Sequence, residues 1–138
     1  MSALPRALRI AMAITDVGFV AYWAVTALGL VPASFAYAGY DEPALVAWNW
    51  SFLPLDLAVS ASGLAALALD RRGDPRAAPL ALVSLVATSA SGLLAIAFFA
   101  LRRDFAPGWW APNLALLLYP VPFIRSLVSR AGSAPTTR

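Results

Sequence analysis

Cysteine, histidine and lysine are all missing from the 138 residues. Without cysteine or histidine there is no disulfide, no thiolate or imidazole metal ligand, no axial haem ligand of either kind and no nucleophile–histidine pair. Without lysine, no Schiff base to retinal or pyridoxal phosphate can form on a side-chain amine. No cofactor and no metal is therefore expected, and no glycine-rich nucleotide fingerprint or internal repeat is present. Charge is scarce as well. Charged residues are 12% of the chain, about half of the roughly 25% found in soluble domains.

What fills the chain instead is apolar: 61% of residues are hydrophobic and the mean hydropathy is +0.74. A chain with so little polar surface is expected to take the bilayer as its solvent. A transmembrane helix needs about 20 mostly apolar residues to cross roughly 30 Å of hydrocarbon, and four stretches meet that length, near 7–31, 44–69, 77–101 and 111–130. The fold expected is all-α: a polytopic membrane protein with a four-transmembrane-helix bundle in one domain over 1–130, followed by a disordered tail at 131–138. The first stretch exceeds a secretory h-region and carries Asp16, so it is read as a retained helix. Pro32 is taken to help end it, Pro54 to kink the second helix by freeing the Trp50 carbonyl, and Pro120 and Pro122 to weaken the fourth.

All ten basic residues are arginine, and their distribution orients the chain. Arg6 and Arg9 precede the first helix, Arg71, Arg72 and Arg76 fill the second connection, and Arg125, Arg130 and Arg138 lie toward the C-terminus. The first connection holds only Asp41 and Glu42. Loops rich in arginine stay on the cytoplasmic side, which predicts both termini cytoplasmic, in a bacterial inner membrane, with Arg102 and Arg103 dissenting. Tyr37, Tyr40, Trp109 and Trp110 fall in the outer connections, where they suit interfacial anchors. The net charge of +3 is absorbed by this topology, and nothing supplies a nucleic-acid surface.

Three ionisable residues fall inside the spans: Asp16, Asp56 and Arg125. An intramembrane charge costs from about 2.5 to more than 10 kcal/mol, so it calls for a reason. From the rise per residue, Asp16 and Arg125 each lie about 10 Å from the cytoplasmic boundary, and Asp56 lies within a turn of that level. Helical spacing places Met12, Phe19, Trp23 and Thr26 on the face of Asp16, and Asn49, Phe52, Ser60 and Gly63 on that of Asp56. The third helix carries a small polar stripe, Ser84, Thr88, Ser91 and Ala95. Small and hydroxylated residues also serve plain helix packing. Two acids against one arginine nevertheless leave a charge to be resolved by a proton, a wet cavity or a bound cation. An Asp16–Arg125 ion pair is expected, leaving Asp56 as the proton-holding, catalytic or ligand-facing group.

The stretches Ile14-Thr15-Asp16-Val17-Gly18-Phe19 and Val46-Ala47-Trp48-Asn49-Trp50-Ser51-Phe52-Leu53-Pro54-Leu55-Asp56-Leu57 resemble the YvaD-like family of small bacterial four-helix membrane proteins. The second is the more distinctive, with tryptophans flanking an asparagine and a proline two residues before an aspartate. The resemblance implies topology and no activity, and it favours Asp16, Asn49, Trp50 and Asp56 as site residues.

The expected pocket is lined by Asp16, Phe19, Trp23, Asn49, Trp50, Phe52, Asp56, Ser60, Thr88 and Tyr119. Its leading reading is binding or transport of a small lipophilic or cationic molecule, with a homodimer supplying alternating gates. One alternative is an intramembrane isomerase or cyclase using Asp56 as general acid on an isoprenoid-like substrate, by architectural analogy with sterol-isomerase-like bundles. The other is an accessory subunit of a larger membrane complex.

Overall fold

A computed structural model describes residues 4–132 and is all-α across them, with no strand among the described residues. Its helices are α1 (Arg6–Ala27), α2 (Pro43–Ser51), α3 (Leu53–Arg71), α4 (Ala77–Leu101), α5 (Pro107–Leu118) and α6 (Pro120–Gly132), with a short 3-10 turn at Ala33–Phe35. Four spans emerge, because α2 with α3 and α5 with α6 each run on as one apolar stretch, Pro43–Arg71 and Pro107–Gly132. The third expected span agrees with α4 at both ends.

The two breaks fall where proline removes backbone donors. Pro54 has no N–H for the Trp50 carbonyl, and Phe52 bonds three residues back to Asn49 at 3.1 Å, tightening the turn between α2 and α3. Pro120 and Pro122 interrupt the fourth span in the same way at Tyr119. The first span ends four residues before 31, and the reason is Gly29. At φ 67° it lets Leu30 and Gly29 donate to the carbonyls of Val25 and Thr26, a Schellman stop that acts before Pro32 is reached. Residues 131 and 132, expected in the tail, extend α6, and 133–138 lie outside the described residues.

The α4 helix closes with the same hydrogen-bond pattern, but Arg103 occupies its left-handed position at φ 56°. That conformation costs an L-residue about 1–2 kcal/mol and glycine almost nothing. Arg103→Gly is accordingly expected to stabilise the protein by about 0.5–1 kcal/mol, read as a higher unfolding midpoint in detergent.

Packing follows chain order: α1 lies on α3, α3 on α4, and α4 on both α5 and α6. The anticipated stripes do face inward, with Met12, Asp16, Phe19 and Trp23 buried on α1, Asp56, Ser60 and Gly63 on α3, and Ser84, Thr88, Ser91 and Ala95 on α4. Ile14, Val17, Val83, Val86, Leu93 and Leu94 are exposed outward, as lipid permits. In a bilayer the apolar surface itself does not drive helices together, so close contacts and crossing hydrogen bonds must. Among the described residues at least six side-chain bonds cross between spans, including Ser60 Oγ to the Asp16 carbonyl at 2.9 Å and Ser84 Oγ to the Val59 carbonyl at 3.1 Å. At about 0.6 kcal/mol each, they contribute on the order of 4 kcal/mol.

An apolar cluster caps each end of this polar belt. At the end where α1 begins and α3 ends, Leu4, Leu8, Met12, Leu67, Leu85 and Leu127 pack together. The connection there carries an exposed clip, in which hydrogen bonds from the Arg76 guanidinium hold the Asp74 carboxyl at about 2. At the far end Tyr37 is the buried centre of an aromatic cluster with Tyr40, Trp48, Phe99 and Trp109, instead of the interfacial anchor expected of it. Burial pushes its phenol well above the ordinary range. Arg102, one of the two dissenting arginines, donates to the Ala38 carbonyl at 2.8 Å, and the Trp109 indole donates to the Phe35 carbonyl. These bonds fasten the first connection over the far end of the bundle.

Candidate functional site

Asp56 sits in the first turn of α3, just past the break, and is 3% exposed. Its Oδ2 accepts the Trp23 indole N–H from α1 at 3.0 Å, and its Oδ1 accepts the Ser91 hydroxyl from α4 at 2.8 Å. Three spans therefore meet at one carboxyl. The donors are neutral, and no ion pair to Asp56 forms among the described residues. About two turns earlier on the second span, the Tyr22 hydroxyl donates to Asn49 Oδ1 at 3.0 Å, tying α1 to α2.

Beside this hub lies a cavity of about 540 Å³ between α1, the α2–α3 break, α4 and α5. Phe19, Trp23, Trp48, Phe52, Phe99 and Trp109 supply its aromatic wall. Among the described residues Asp56 is the only carboxyl lining it, and none of the basic ones lines it. Tyr22, Asn49, Ser91 and Asn113 provide the remaining polar groups, apart from Thr15.

Of the residues expected in one pocket, Phe19, Trp23, Asn49, Phe52 and Asp56 line this cavity. Asp16, Trp50, Ser60, Thr88 and Tyr119 lie outside its wall. Trp50 is exposed and packs on the outside of Trp23, ring centroids 5.4 Å apart. The hydroxyls of Ser60 and Thr88 are spent on the backbone carbonyls of Asp16 and Ser84. Tyr119, at the fourth-span break, reaches toward Thr15 and Thr88. Asp16 is level with Ser60, and so about 6 Å along the axis from Asp56. It is 1% exposed, its Oδ2 has no partner, and it occupies the space left by the absent side chain of Gly63.

The expected Asp16–Arg125 ion pair does not form. Arg125 is exposed on α6, and the ion pairs among the described residues are Arg9–Asp70 at 3.9 Å and Arg76–Asp74 at 2.8 Å. The physical reason is position around α6: Leu127 faces inward, and Arg125, two residues earlier and so about 200° around the helix, is left on the outer face.

Four structurally important residues were not expected in the roles they play. Tyr22 was recoverable, since Thr15, Phe19, Tyr22 and Thr26 form a second row at helical spacing beside the Asp16 stripe. Ser91 belonged to a stripe read as packing, and Trp109 was assigned to the interface. Asp70 falls just beyond the second span as expected at 44–69 and was given no role, yet it is buried and accepts the Leu4 backbone N–H at 3.0 Å.

Over residues 8–134 the chain matches the model of a family described as a family of unknown function, DUF5360. It is 42% identical over 123 residues to the uncharacterized protein YvaD of Bacillus subtilis (strain 168), which covers 89% of this chain and 92% of that protein. No solved structure matches. Four apolar spans together with this bacterial relative make it a multi-pass protein of the bacterial cytoplasmic membrane. The distinctive Trp-Asn-Trp stretch and its proline-broken helix thus led to the right relatives: the chain belongs to the DUF5360 family.

Proposed function

We propose that this protein binds a small lipophilic cation in the aromatic cavity, with both termini cytoplasmic and the cavity toward the outer half of the bilayer. The observation that carries the reading is the lining itself: an aromatic wall that, among the described residues, holds Asp56 as its one carboxyl and no basic residue. Ring faces attract cations, most strongly where water is excluded, and an apolar wall suits the rest of a lipophilic body. Each carboxyl oxygen of Asp56 already accepts one neutral donor and keeps a second acceptor site, so a cation can approach without breaking the hub. The orientation rests on the arginine count, and Arg102 joins it without conflict because a carbonyl of the first connection holds it.

Acid catalysis on an isoprenoid is the weaker reading. The analogy behind it requires two carboxyls in one cavity, and Asp16 lies outside the wall.

Tetraphenylphosphonium and tetraphenylborate have nearly the same shape and opposite charge, and quenching of Trp23 and Trp109 reports occupancy. The protein is expected to bind the cation at least about tenfold more tightly than the anion, a difference of roughly 1.4 kcal/mol. Asp56→Asn keeps the volume and an acceptor oxygen, and it is expected to erase most of that preference. Equal affinity for the two ions in the unmodified protein, or a preference untouched by Asp56→Asn, would overturn the reading.

A further inference from the structure

At the opposite end of the bundle, where α1 begins and α3 ends, three arginines surround a second cavity of about 370 Å³. Arg6 and Arg9 are three residues apart on the first turns of α1, and Arg71 is the last residue of α3. Ile10, Ala13 and Leu67 complete the lining. A wall with three guanidinium groups and no carboxylate calls for an anion.

Two further observations sharpen this. The Arg9 Nε is buried and has no hydrogen-bond partner, while its Nη1 lies 3.9 Å from Asp70 Oδ2. Asp70 has no side-chain exposure and lies outside the lining, so it acts from behind, steadying Arg9 without filling the cavity. The lining also turns apolar away from the arginines at Ile10, Ala13 and Leu67, and beyond it Ile10, Ile14 and Val17, at helical spacing on α1, form a strip that is 50%, 69% and 59% exposed. The occupant that suits both halves carries a phosphate and a hydrocarbon chain.

We infer that this cavity seats the phosphate of an anionic phospholipid, with an acyl chain lying along Ile10, Ile14 and Val17. Guanidinium groups match phosphate oxygens in fork geometry, and basic pockets between spans on the cytoplasmic side are suited to lipid headgroups. Inorganic phosphate shares the headgroup chemistry but leaves the apolar strip without a partner.

Native mass spectrometry of the full chain in detergent tests this, with dioleoylphosphatidylglycerol against dioleoylphosphatidylcholine as probes. One phosphatidylglycerol is expected to be retained per chain in preference to phosphatidylcholine. The double variant Arg6→Gln/Arg71→Gln leaves the Arg9–Asp70 pair intact and is expected to weaken retention about twenty-five-fold, a factor of about five per arginine. Arg125→Gln, an exposed arginine outside the lining, is expected to leave it unchanged. Equal retention of the two lipids, retention unaffected by the double variant, or an equal loss in Arg125→Gln would overturn the assignment. Full displacement of the lipid by inorganic phosphate at the same concentration would overturn it in favour of a free anion.

Discussion

Gly92→Ala is expected to destabilise the protein by about 2 kcal/mol, although alanine is the better helix former by about 1 kcal/mol. The reason is the seam between α4 and α5. A Cβ at position 92 would stand 2.6 Å from the Leu117 amide nitrogen and 2.7 Å from the Asn113 carbonyl oxygen. Both are backbone atoms of one turn of α5, so no rotamer change can make room. The helices must separate, and overpacking of this kind typically costs about 1–3 kcal/mol before the lost contacts along the seam are added. Because Asn113 and Leu116 also line the cavity, the variant is expected to bind tetraphenylphosphonium more weakly. Gly18→Ala is the matched control, since a Cβ there meets nothing within 4 Å. Unfolding in detergent by increasing sodium dodecyl sulfate compares the two. Equal midpoints for the two variants would remove close approach as the role of Gly92.

The second large effect is expected at Gly63, and it is conditional on Asp16. A Cβ at position 63 would overlap the Asp16 carboxyl, so Gly63→Ala must expel that group from its buried place. The expected cost is about 2–3 kcal/mol. Here the obstacle is a side chain, which makes the cost removable. Asp16→Ala alone is expected to fall within about 1 kcal/mol of the unmodified protein or above it, because it deletes a buried oxygen that has no partner. In the Asp16→Ala background, Gly63→Ala is then expected to be nearly free, giving a coupling of about 2 kcal/mol in a double-mutant cycle. A cost for Gly63→Ala that is the same in both backgrounds would show that some other contact sets it.

The spans were legible because hydropathy over 20 residues is a strong signal, and the inward stripes because a helix repeats every 3.6 residues. Proline marked both breaks, at Phe52 and Tyr119. The α1 boundary was misplaced because a left-handed glycine ends a helix as firmly as a proline does, and Gly29 comes first. Asp16 and Asp56 do lie about one turn apart in level, as expected, and still they do not share a cavity. Whether two groups one turn apart face the same space depends on what lies between them, and Gly63 draws Asp16 into the helix interface. The ion pair with Arg125 failed for a related reason. Depth is arithmetic on residue numbers, whereas pairing depends also on position around α6, where Arg125 is left on the outer face. The arginine cavity was hidden by the same limit: Arg6, Arg9 and Arg71 register in sequence as topology, and only the pairing of α1 with α3 brings them around one space.

Because each span packs chiefly on the one that precedes it, the order of synthesis is also the order of assembly. When α3 emerges from the ribosome, α1 is already in the bilayer to supply the indole that Asp56 needs, and α4 follows with the serine. The most costly polar group is thus accompanied early, and no span has to wait for a distant C-terminal partner. Such short sequence separations between partners favour rapid folding and brief exposure of half-made surfaces. A nascent chain stalled after α4 would already hold the complete Asp56 hub.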